Sequence, residues 1–128
     1  MKKIYLLMIL QIVVFSVFAQ KHEPVNLQRP EPVNPMKDKQ EYQGYTIRLM
    51  PAMPVPGSMG SYGFDILKDN KPVVHQFQNP IPFLPKGIQK KVDAYKIAQW
   101  IIREYEKTAH WQNIIPPHIA HQLKIKTL

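Results

Sequence analysis

Between Lys91 and Ala109 the apolar residues Ala94, Ile97, Ala98, Ile101, Ile102, Tyr105 and Ala109 recur at i, i+3, i+4, i+7, i+8, i+11 and i+15. On a helix of about 3.6 residues per turn that spacing is one continuous stripe, and a stripe that wide must be buried against a second layer. Asp93 in the first turn and Lys107 and His110 near the end suit the helix dipole. The chain contains no cysteine, so no disulfide can stand in for that second layer and the domain needs an apolar core.

The partner layer is readable upstream. Tyr45, Ile47 and Leu49 alternate with polar residues in Gly44-Tyr45-Thr46-Ile47-Arg48-Leu49, a strand pattern. Pro51, Pro54, Pro56 and Gly57 end that strand, and a loop runs to about Ser61. Tyr62 to Leu67 and Pro72 to Phe77 then flank Lys68-Asp69-Asn70-Lys71, where Asp-Asn tolerates the positive φ of a tight hairpin. With Asp69 and Asn70 as the loop, Ile66 opposes Val73, Phe64 opposes His75 and Tyr62 opposes Phe77. This register puts Asp65 and Gln76 together on the other face. The expectation is an α+β domain, residues 42–128, with a small three-stranded antiparallel sheet packed on one amphipathic helix. Residues 118–128 fit a short helix or an edge strand equally well.

The N-terminal region reads differently. Lys2 and Lys3 precede an apolar run from Ile4 to Phe18, and Val17-Phe18-Ala19 supplies a signal-peptidase site, so residues 1–19 read as a secretory signal. The run is shorter than the roughly twenty residues a bilayer span requires, which disfavours a retained membrane helix. Gln20, not cysteine, follows Ala19, so the exported chain is not a lipoprotein and carries no integral span after cleavage; periplasm or extracellular space is expected. Residues 20–41 hold the tetrapeptide EPVN twice, at Glu23–Asn26 and Glu31–Asn34. Proline at this density reads as an extended tether, a spacer or a short proline-rich ligand, outside the fold. The formal net charge of +8 is dispersed and lacks the basic stripe with interleaved aromatics of a nucleic-acid binder.

Gly60-Ser61-Tyr62-Gly63-Phe64-Asp65-Ile66, Lys71-Pro72-Val73-Val74-His75-Gln76, Ile81-Pro82, Gly87-Ile88, Asp93-Ala94 with Lys96-Ile97-Ala98, and Ile115-Pro116-Pro117 follow in an order that resembles the domain of unknown function 4907 family, small exported proteins of Gram-negative bacteria. The resemblance spans about Tyr45 to Leu123. It departs where Phe77-Gln78-Asn79 separates His75-Gln76 from Pro80, and in the Met-rich loop. It implies export and an α+β fold, and leaves the activity open.

Candidate chemistry is sparse. Asp65, His75 and Gln76 are the polar residues of the hairpin, and the register above holds Asp65 and His75 on opposite faces, which argues against a catalytic couple. No serine stands in a nucleophile's setting and no acid pair suggests glycoside cleavage. Trp100 lies beyond the helix stripe with Lys96 and Arg103 on its flank, either covered by their stems or serving as a half-exposed anchor for a protein or an anionic glycan. Met50, Met53 and Met59, with Met36 upstream, could offer thioethers to copper, and His118 and His121 form half an imidazole site if helical. The sequence thus points to a non-catalytic module that binds a protein or envelope component. Copper handling and hydrolysis are the alternatives.

Overall fold

A computed structural model describes residues 29–54 and 56–125. The expected secretory signal and the first EPVN copy lie outside them. The elements are β1 (Lys39–Tyr42), β2 (Tyr45–Pro51), β3 (Tyr62–Lys68), β4 (Lys71–Gln76), α1 (Lys91–Thr108) and α2 (Pro117–Gln122). The sheet is antiparallel and four-stranded in the order β1-β2-β3-β4, where the sequence reading has three strands. The additional strand is joined to β2 by the two-residue turn Gln43-Gly44, both at positive φ, a conformation open to glycine and suited to a tight hairpin.

That strand corrects the boundary of the tether. Its first residues, Lys39 to Glu41, fall in the stretch read as outside the fold. The chain before it is attached as well: Val33 packs against the core, the Tyr62 hydroxyl donates to the Glu31 carbonyl, and Lys91 Nζ sits 2.9 Å from Asp38 Oδ2 and 3.5 Å from Glu31 Oε1. The Asn34 amide and the Lys91 ammonium hold the Asp38 carboxyl below its usual range.

Helix α1 lies across β2 and β3. Ala94, Ile97, Ala98, Ile101 and Ile102 are buried against Ile47, Leu49, Phe64 and Ile66, each large side chain stabilising the fold by about 1.5–3 kcal/mol through burial. The stripe stops short of its expected end. Ala109 is the exposed C-cap, at φ 58°, its amide bonding the Tyr105 carbonyl, and the left-handed turn ends the helix at Thr108. Beyond it Trp111 stacks on Tyr105 with centroids 3.8 Å apart and meets Tyr45 edge-on at 5.8 Å. Residues 117–122 are helical, settling the question left open for part of the C-terminal segment. Among the described residues no helix is long and apolar enough to cross a membrane.

Tyr45 supplies a pH signature. Its hydroxyl is buried and donates to Glu106 Oε1 at 2.8 Å, and burial, reinforced by that carboxylate, raises its pKa to about 12. An unfolded tyrosine ionises near 10. The contribution is therefore complete below pH 10 and is lost as pH climbs toward 12, because the unfolded chain gives up the proton first. Urea unfolding should show a steeper loss of stability between pH 10 and 12 for the wild-type chain than for Tyr45→Phe.

Candidate functional site

The hairpin begins in the expected register, Lys68 opposite Lys71 and Leu67 opposite Pro72, with Asp69 and Asn70 at φ 52° and 61°. It then slips. Ile66 pairs with Val74, Asp65 with His75 and Phe64 with Gln76, leaving Val73 as the extra residue of a bulge. Pro72 has no amide proton to continue the ladder, which favours an irregularity beside it. A one-residue slip reverses the face of every later side chain. Gln76 therefore lies opposite Phe64 on the helix side, buried, its amide donating to the Gln78 carbonyl at 2.9 Å. The expected sharing of a face by Asp65 and Gln76, with His75 on the far side, is overturned by this slip.

His75 instead joins Asp65 on the face turned away from α1. Its Nδ1 lies 2.5 Å from Asp65 Oδ1. From the other side β2 brings Arg48 level with Asp65, and Arg48 Nη2 donates to Asp65 Oδ2 at 2.8 Å. The carboxylate is 9% exposed while the arginine and imidazole are 47% and 58% exposed, so a buried acid anchors two side chains that reach solvent. A carboxylate paired with arginine only accepts, so His75 Nδ1 carries the hydrogen of this contact and Nε2 is the ring nitrogen it leaves over. Among the described residues Asp65 is the one hydrogen-bond partner of the His75 ring. Arg48 is absent from the sequence-level candidates. Period-two alternation from Ile47 and Leu49 already puts it on the outer face, but only strand pairing brings it level with Asp65.

Phe77 lies beside the imidazole, ring centroids 5.3 Å apart. Together they border a depression of about 380 Å³ that Gln78, Asn79, Asn113 and Ile114 also line. Asn79 is committed to structure, donating to the Leu84 carbonyl and accepting from the Ile81 amide, and the Ile115 amide bonds the Pro80 carbonyl, fixing the opposite wall. The result is an open, partly apolar hollow bordered by an oriented imidazole.

The remaining sequence candidates lie elsewhere. Trp100 is half-buried against the core and Arg103 donates to the Tyr42 hydroxyl at 3.1 Å, so both hold α1 to its surroundings, while Lys96 pairs with Asp93 of the same helix at 3.8 Å. Met50 is half-buried on the outer face of β2 opposite Gly63, while Met53, Met59 and Met36 are exposed. His118 and His121 are exposed on α2. Among the described residues no group of three or more His, Asp or Glu side chains is arranged to hold a metal ion.

Gly63 sets how closely β4 approaches this site. A Cβ there would stand 2.4 Å from the Gln76 carbonyl oxygen and 3.2 Å from the Phe77 Cα, both backbone atoms that cannot swing aside. Gly63→Ala should destabilise the domain by about 1–3 kcal/mol and push the end of β4 outward. Urea unfolding together with loss of the hydrogen-bonded His75 Nδ1 proton resonance would register both effects. No protein-family model, curated protein or solved structure matches the chain.

Proposed function

We propose that this chain is an exported, non-catalytic binding module of the cell envelope, a member of the domain of unknown function 4907 family, and that its ligand docks at the hollow beside His75. The observation that carries the reading is the closed Arg48–Asp65–His75 set. One oxygen of a buried carboxylate orients the imidazole while the other holds Arg48, and the imidazole borders a hollow lined by amides, Phe77 and Ile114. Such a rim offers a ligand one oriented ring nitrogen for a hydrogen bond and an aromatic side chain beside it, the mix of apolar surface and few fixed polar groups that small binding sites use. The proposed secretory signal and the absence of cysteine would deliver the domain free rather than lipid-anchored, to the periplasm or beyond.

Hydrolysis is the second reading, and one observation favours it: the carboxylate and imidazole do meet, and a carboxylate-oriented imidazole can act as a general base on water. Among the described residues no hydroxyl is bonded to the ring to serve as nucleophile, which is why binding is placed first. Copper handling would fall to Met50, Met53, Met59, His118 and His121, none of which borders the hollow.

Co-sedimentation with purified cell-wall and outer-membrane fractions tests the first reading. The wild-type chain should sediment with one fraction saturably, and His75→Ala should weaken that binding about tenfold, the equivalent of one lost hydrogen bond to a fixed partner. No sedimentation with any fraction, or equal binding by the variant, would sink it. Turnover of ester or phosphoester probes that disappears in His75→Ala would move the assignment to the enzyme.

A further inference from the structure

The EPVN duplication is left unused by the site at His75, yet its second copy is docked on the domain through Glu31, Val33 and the Asn34 amide. The Glu31 carbonyl accepts from the Tyr62 hydroxyl and its carboxylate lies 3.5 Å from Lys91 Nζ. Pro32 holds the chain extended ahead of Val33, which packs on the core. The Asn34 amide donates to Asp38 Oδ2 at 2.5 Å, while its side-chain oxygen accepts from the Met36 amide. The receiving surface is contributed by the start of β3, the start of α1 and the residue before β1. Its backbone is fixed independently of the strap, since the Tyr62 amide bonds the Ile88 carbonyl and the Asp38 carbonyl accepts from the Leu49 amide.

We propose that this groove is a recognition site for the sequence Glu-Pro-Val-Asn, and that the first copy, Glu23–Asn26, is its alternative occupant. The two copies are identical and eight residues apart, so each side chain the groove engages in Glu31–Asn34 has its counterpart in Glu23–Asn26. Asp38 stays in place in either case because β1 holds it. What differs is the connection. With the second copy seated, residues 35–37 join the strap to Asp38; with the first copy seated, residues 27–37 must form the loop. Loop-closure entropy for that lengthening favours the resident copy by about sevenfold, and the bond from the Lys37 amide to the Asn34 carbonyl, local to the short turn, favours it further, which makes the first copy the minor occupant. The exchange changes the chain upstream of the groove by eight residues, roughly 26 Å when extended. The repeat thus gives the N-terminal arm two positions on the domain, which differ in the length of arm left free.

Double substitution tests this directly in the full chain, with groove occupancy read from the amide resonances of Lys91 and Val92. Val25→Asp alone should leave occupancy near wild type. Val33→Asp should lower the docking constant by at least about eightfold, to the share held by the first copy, and Val25→Asp with Val33→Asp should abolish it. A peptide of residues 21–30 added to the double variant should restore the resonances saturably, a peptide with the tetrapeptide scrambled should not, and Tyr62→Phe should weaken the peptide at least several-fold. Equal occupancy in the Val33→Asp single and double variants, or restoration by the scrambled peptide, would overturn the proposal. Because the peptide arm uses a chain whose own copies are both disabled, it reads the groove even if Val33→Asp loosens the strap entirely.

Discussion

Burial of the α1 isoleucines against Ile47, Leu49, Phe64 and Ile66 decides which side of each strand is inside. With Phe64 and Ile66 committed to the helix, the pleat of β3 leaves Asp65 no choice but the opposite face. Arg48 follows from the same logic on β2. Two charged side chains on neighbouring strands are thus aligned by a constraint that has nothing to do with charge: the need to remove an apolar stripe from water.

The bulge in β4 adds the third member. A regular hairpin from the Asp69-Asn70 turn would have put His75 across from Phe64, at the edge of the core, and Asp65 would have faced Gln76 diagonally. The unpaired Val73 shifts pairing by one residue, so the imidazole crosses to the outer face and the amide of Gln76 goes inside. Gly63 permits the close passage of the β4 backbone that this arrangement needs. One irregular residue therefore converts a buried acid paired with arginine into an acid that also orients a solvent-facing imidazole.

The periphery obeys a related rule. Lys91, Asp38 and Tyr62 lie where the first turn of α1 meets the edge of the core, and they gather the proline-rich strap onto the domain. Composition marks residues 31–38 as extended and polar, which is correct locally, but composition cannot register that a buried tyrosine and a lysine are waiting at the right spacing. The same limit hid β1, whose four residues KQEY have no periodic apolar signal. Their one clue was the Gln43-Gly44 pair ahead of the β2 pattern.

By itself the sequence determined the helix, its buried face, the β2 and β3 alternation and the hairpin turn, because each rests on periodicity or on φ preferences of residues near one another in the chain. Only the tertiary structure decided the β3–β4 register, the attachment of the strap and the union of Arg48, Asp65 and His75. Those depend on which backbone groups of separate strands pair, and a proline without a proton to donate shifts that pairing by one residue, the smallest displacement that reverses a face.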